Sequence, residues 1–302
     1  METSPNVRFV EVAPRDGFQN WPHPVTTETK TKLVTSLLDA GVETVEATSF
    51  VSPKWVPQMA DAAELLANLG EAALPHLRVL VPNLRGFERA ARAGARRVIV
   101  NVGATDGFNL KNLNRRIDET LAEIGAVCES AAGWGVRVDG SVSVAWGCPY
   151  DGPVEPSRSL AVASALLEAG CALVSIADTI GVAQPGAVRD LAGQAVREFG
   201  PDRVAVHFHD TRGLGVANAL AGLEVGVVEF EGSLGGIGGC PFAPRSTGNV
   251  CSEDLLHMLD LLGYRTGIDM PRLLELANWL ADALEATLPG KLYRAGLEPW
   301  VA

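Results

Sequence analysis

The sequence predicts an α/β protein, a (β/α)8 TIM barrel with additional C-terminal helices. Three observations predict it. Eight short apolar, β-branched runs recur along the 302-residue chain. Most are followed by a segment with helical periodicity, the alternation that builds βα units and a parallel sheet. The runs are evenly spaced without a long break, which favours a closed barrel over an open doubly wound sheet with its switch point.

The strands are expected at Val7–Val12, Thr44–Ala47, Leu77–Val81, Arg97–Val102, Arg137–Val144, Ala172–Ile176, Val204–His207 and Val228–Glu231. Between them, Glu28–Ala40 carries Leu33, Val34, Leu37 and Leu38 on one stripe and is stopped by Gly41. The same form returns in Pro156–Ala169, stopped by Gly170. Helices near Ser252–Leu262 and Pro271–Leu284 follow the eighth run, with a tail to Ala302. No linker or low-complexity tract stands out, so one domain is expected over 1–302, with the barrel over about 7–262 and the C-terminal helices and tail over about 263–302.

Hydrophobic residues make up 47% and charged residues 20%, which supplies a large core and argues against extended disorder. The formal net charge is −11 and the basic residues are scattered, so no nucleic-acid footprint is visible. Met1–Pro5 has neither a basic stretch nor an apolar run, and no segment reaches the roughly 18 apolar residues of a membrane span. The expectation is a cytoplasmic protein with no membrane partner. Five cysteines, widely spaced and without a CxxC, argue against a disulfide framework or a cysteine zinc site.

In such barrels the chemistry lies at the C-terminal ends of the strands. His207 and His209 end the seventh run two residues apart, so a strand would aim both imidazoles at the barrel axis, a metal-binding spacing. After the first run comes Arg15-Asp16-Gly17. Asp16 offers a hard oxygen to a cation and Arg15 a planar fork to an oxyanion, although alone the run would read as a surface turn. After the eighth run, Gly235–Asn249 holds five glycines and two prolines around Cys240, an irregular segment suited to closing over a substrate. The plainer alternative is a tight barrel-closing turn with an inert cysteine.

Together with Glu46–Asp61, Gly147-Cys148-Pro149-Tyr150 and Asp178-Thr179-Ile180-Gly181, these segments resemble the 3-hydroxy-3-methylglutaryl-CoA lyase family over nearly the whole chain. The resemblance implies a metal-dependent lyase acting on an acyl-CoA. Asp16, His207, His209 and Asn249 would ligate a divalent cation, usually Mg2+ or Mn2+, while Arg15, Glu46, Asp178 and Cys240 complete the site. Imidazole ligands are also at home with Zn2+, Fe2+ or Co2+. By the same resemblance, Asp16 or His207 would take the hydroxyl proton, Arg15 would face the thioester oxygen, and Cys240 would protonate the enolate. Relatives are commonly homodimers, which is the expected assembly.

The sequence departs from the family where Trp21-Pro22 replaces an acidic–lysine pair, where Phe18 replaces a leucine and where Ala177 replaces a glycine. Trp146 and Pro244-Arg245 also differ. These changes leave the acyl group less defined than the reaction. The alternatives are a retro-aldolase or Claisen-type synthase acting on another hydroxy or oxo acid, and a non-catalytic metabolite-binding barrel.

Overall fold

The computed structural model describes residues 7–239 and 248–298. Eight parallel strands close into a barrel: β1 Arg8–Glu11, β2 Thr44–Ser49, β3 Leu77–Leu80, β4 Arg97–Gly103, β5 Arg137–Ser143, β6 Val174–Asp178, β7 Val204–Phe208 and β8 Glu229–Gly232. They hydrogen-bond in chain order, and β8 pairs with β1 to complete the circle, with Glu231 beside Val10. Each expected strand has its counterpart. The edges move by one or two residues, most at β6, which is displaced by two at both ends, and β2 runs on to Ser49.

The helices form where an apolar stripe meets a start and a stop signal. In α1, Thr27–Asp39, the Thr26 hydroxyl accepts from the Thr29 amide, and Leu33, Val34 and Leu37 are buried. Each such side chain contributes about 1.5–3 kcal/mol on burial. The chain then turns at Gly41 with φ of 90°, a left-handed conformation that glycine adopts without a Cβ clash. The remaining outer helices are α2 Ala62–Leu69, α3 Leu84–Arg92, α4 Asp106–Leu113, α5 Ile117–Trp134, α6 Pro156–Glu168, α7 Pro185–Phe199, α8 Gly215–Glu224 and α9 Ser252–Leu261. Beyond the ring lie α10 Met270–Ala283 and α11 Leu292–Ala295. The first is tied to the barrel where the Asp269 amide donates to the Ala40 carbonyl, and Lys32 of α1 lies 4.4 Å from the Trp279 ring. Among the described residues no helix is long and apolar enough to cross a membrane.

The apolar core sits between strands and helices, where Val98, Val100 and Val102 of β4 point outward and are buried. Inside the barrel, layers of branched apolar side chains are the common filling. Here the lower layer is charged: Arg97 donates to Asp139 at 2.5 Å and to Glu229 at 3.3 Å, and Arg8 reaches Glu229 at 2.9 Å. Charges enter a core only when paired, and these are paired.

Candidate active site

The chain leaves β1 through a single π turn, Ala13–Gly17, in which the amides of Arg15, Asp16 and Gly17 all converge on the Val12 carbonyl. Such turns are uncommon and cluster at functional sites. This one brings neighbouring side chains into contact, and Arg15 Nη1 donates to Asp16 Oδ1 at 2.5 Å. The other edge of the guanidinium lies against Glu46 Oε1. Glu46 sits at a bulge of β2, where Ala47 is the extra residue between the pairs Glu46–Arg78 and Thr48–Val79. Bulges re-aim side chains beside active sites.

Across the mouth, His207 ends β7 with Phe208, and His209 follows in an isolated antiparallel bridge with Asn249. The ring centroids of the two histidines are 5.1 Å apart. One ligand atom each from Asp16, His207 and His209 lies within 4.8 Å of the others; both histidines are buried, and the Asp16 side chain is 13% exposed. Asn249 joins them: its Nδ2 donates to Asp16 Oδ2 at 2.8 Å and to the Ile237 carbonyl at 3.1 Å. This approach requires the neighbouring glycine. Gly238 has φ of 134°, and a Cβ there would overlap the Asn249 amide.

Two buried atoms in this group, His209 Nδ1 and Asn249 Oδ1, have no hydrogen-bond partner among the described residues. Leaving such an atom unpaired costs about 1–3 kcal/mol, so the arrangement is one that a further ligand would complete. A carboxylate, two imidazoles and an amide oxygen suit a divalent cation, and the residues fit that group. Their protonation states agree. Burial and the neighbouring His207 push His209 down to about 3, so its imidazole is neutral. Burial opposes ionisation of Asp16, but Arg15 and both imidazoles outweigh it and hold its carboxyl below the ordinary range. His207 moves the other way: burial lowers it, and the Glu231 carboxylate at 2.9 Å more than compensates.

Asp178 is also at the mouth, at the end of β6, but it is not part of this cluster. Its two oxygens accept from the amides of Val182 and Ala183, each at 2.9 Å, which orders the loop leading to α7. Burial raises its pKa. Cys240 and Arg245 lie outside the described residues. Trp146 donates its indole N–H to the Ala187 carbonyl at 3.1 Å and packs 5.6 Å from the Phe208 ring. Trp21 lines a groove of about 490 Å3 between the segment after β1 and the end of α10, bounded by Pro22, His23 and Leu284. None of the cluster residues lines that groove.

Several buried groups escaped sequence reasoning. Arg78, fully buried in β3, donates to Glu46 Oε2 at 2.7 Å and to Glu231 Oε1 at 2.9 Å. Glu11 at the end of β1 accepts from the amides of Ala13 and Leu234 and from the Ser252 hydroxyl, stitching β1 to the segments before and after 240–247. Asn101 and Ser143 exchange hydrogen bonds of 2.9 and 3.1 Å at the ends of β4 and β5. Val144 follows with φ of 53°, a left-handed conformation costly for a β-branched residue, and its amide donates to Thr179 Oγ1. The available signal was an excess of charged and polar residues at alternate positions of the strands.

The HMGL-like family model matches residues 6–280. The chain belongs to the HMGL-like family. Bovine mitochondrial hydroxymethylglutaryl-CoA lyase is 43% identical over 96% of this chain and 89% of its own length. The crystal structure of hydroxymethylglutaryl-CoA lyase from Pseudomonas aeruginosa superposes with a TM-score of 0.92 at 42% identity and covers 98% of each chain. An HMG-CoA lyase from Acinetobacter baumannii, solved in complex with coenzyme A and 3-methylmalate, gives a TM-score of 0.93 at 35% identity over 96% of this chain and 95% of that one. Family members of this kind are carbon–carbon lyases on a TIM barrel.

Proposed function

We propose that the chain is a divalent-cation-dependent carbon–carbon lyase that cleaves 3-hydroxy-3-methylglutaryl-CoA, or a close 3-hydroxy-3-alkyl acyl-CoA, into acetyl-CoA and a 3-oxo acid. The observation that carries this reading is the meeting, at one barrel mouth, of Arg15 with the Asp16, His207 and His209 cluster. An acyl-CoA substrate is supported by the coenzyme A complex of the Acinetobacter relative.

Cleavage between C2 and C3 requires loss of the hydroxyl proton, passage of the bond electrons into the thioester as an enolate, and protonation of that carbanion at C2. A bound Mg2+ or Mn2+, held by Asp16, His207, His209 and Asn249, would supply Lewis acidity toward the substrate oxygens. Asp16, ionised at neutral pH, is a candidate acceptor for the hydroxyl proton. The alternative acceptor, His207, has its Nδ1 engaged by Glu231, which leaves Nε2. Arg15 is held by Glu46 on one side and Asp16 on the other, so its remaining donors are fixed in direction before the enolate charge develops. Asp178 orders the loop after β6 at the rim. Cys240, carried between Gly239 and Pro241, would donate the proton to C2, as a thiol with an ordinary pKa near 8.5 is protonated at neutral pH.

We further propose that the protein acts as a cytoplasmic homodimer, with the exposed Leu261 and Leu262 at the end of α9 offering apolar surface for the contact. Size-exclusion chromatography with light scattering tests the assembly. The reaction is tested by following acetyl-CoA release from a panel of 3-hydroxy-3-alkyl thioesters beside the same acids without CoA. Release from the thioesters alone is expected. Cleavage of the free acids, or no acetyl-CoA from any thioester, would overturn the reading.

A further inference from the structure

Between the two ends of the mouth runs a buried chain of alternating charge: Arg15, Glu46, Arg78, Glu231, His207. Each carboxylate divides its oxygens between two partners. Glu46 gives Oε1 to Arg15 and Oε2 to Arg78, and Glu231 gives Oε1 to Arg78 and Oε2 to His207 Nδ1. Glu46 and Arg78 are fully buried, and Glu231 is 5% exposed. Taking such ions out of water costs several kcal/mol each, and apolar side chains of similar volume would often fill the space with equal or greater stability. Arg78 even leaves Nη1 without a partner among the described residues. What the chain provides is direction, since a guanidinium forked between two carboxylates fixes both.

We propose that Arg78 and Glu231 are positioning residues for the reaction. Glu231 holds the His207 ring so that Nδ1 carries the proton and Nε2 is the nitrogen turned to the cation. Arg78 holds Glu46, and through it the Arg15 guanidinium. The two halves of the site, cation and oxyanion, are therefore set in register by one buried guanidinium. The Arg15 half rests on the lyase reading, whereas the His207 half concerns ion binding and stands without it.

The substitution Glu231→Gln keeps the size of the side chain but creates a conflict at one end. With the amide nitrogen toward His207, Nδ1 must accept and Nε2 must carry the proton, which blocks a ligand position. With the amide nitrogen toward Arg78, two donors face each other. Carboxylates that orient a ligating histidine are worth about 10–100-fold in metal affinity. The test is Mn2+ binding to the folded, substrate-free protein, read by the loss of the free-ion electron paramagnetic resonance signal. A Kd raised tenfold or more in E231Q is expected, with partial recovery in E231D, which keeps the charge. R78K, which keeps a charge but loses the fork, is expected to lower kcat tenfold or more at saturating Mn2+ with little change in KM.

A purely structural role would lower Tm in E231Q and leave the Mn2+ Kd within about twofold of the wild-type value, and that result overturns the proposal. If neither Glu231 variant folds, the wild-type protein decides. Imidazole 15N shifts with Mg2+ bound should show His207 protonated at Nδ1, and a proton at Nε2 overturns the proposal. Because Mn2+ affinity needs no substrate, a wild-type protein inactive on every thioester would sink the lyase reading alone.

Discussion

Replacing Glu46 by alanine removes the carboxylate that two buried guanidiniums share. Neither is stripped bare, because Arg15 keeps Asp16 at 2.5 Å and Arg78 keeps Glu231 at 2.9 Å. Removing one partner of a buried ion pair costs about 3–5 kcal/mol, and the two retained contacts put E46A at the lower end, near 3 kcal/mol. Against a domain stability of about 5–15 kcal/mol that is a large share, so the variant should fold with a visibly lower urea midpoint and an unchanged slope. E46Q is expected to fall between the two, since its amide oxygen can accept from one guanidinium while its amide nitrogen meets the other. The assay is urea unfolding of the metal-free proteins, followed by far-ultraviolet circular dichroism. A loss below about 1 kcal/mol in E46A would refute the reasoning that Glu46 is the shared partner, because so small a change is typical of an exposed pair.

Further expectations concern pH and turnover. Burial pushes Glu11 up to about 7 from an ordinary 4.5. Its favourable contribution is therefore complete below the unfolded pKa and is lost as pH rises through the folded one. E11Q, whose oxygen accepts from Ala13 and Leu234 while its amide nitrogen turns the Ser252 hydroxyl from donor to acceptor, should gain about 2–3 kcal/mol over wild type between about pH 5 and pH 8. An equal pH slope in the two proteins would contradict the assignment. Because His207 is raised and His209 lowered, protons should compete with the cation at His207. Mn2+ affinity should fall on acidification with proton release on binding, and calorimetry in buffers of different ionisation enthalpy measures that release. Arg15→Gln should lower kcat by about 10²–10³-fold with Mn2+ occupancy retained, as for loss of one oxyanion donor. Cys240→Ala should lower it too, and near-wild-type rates in either would remove the roles given to them.

The barrel was legible because strand and helix signals are local. The apolar runs and the stop signals at Gly41 and Gly170 need only a few neighbouring residues. The meeting of His207 and His209 was legible for a related reason: their spacing on one strand fixes their common direction. Arg78 and Glu231 were not legible. A lone arginine within Leu77–Val81 looks like an interruption, and its partners are 32 and 153 residues away. Which strands face one another across a barrel depends on closure and stagger, and neither is written in any short window. The π form of the turn after β1 was not legible, since the sequence does not distinguish a π turn from an open one. Asp178 illustrates the opposite limit. Its place at the end of β6 was legible, but its engagement with the amides of Val182 and Ala183 depends on the path of the following loop.

The most direct test of the account measures ion binding and bond cleavage on the same sample. Metal-free protein is titrated with Mn2+, and bound ion and acetyl-CoA released from 3-hydroxy-3-methylglutaryl-CoA are recorded at each point. The account predicts one ion per chain at the Asp16, His207, His209 and Asn249 cluster, with the rate rising in proportion to occupancy and both lost together in His209→Ala. Full cleavage by the metal-free protein, or a filled site that releases no acetyl-CoA, would contradict it.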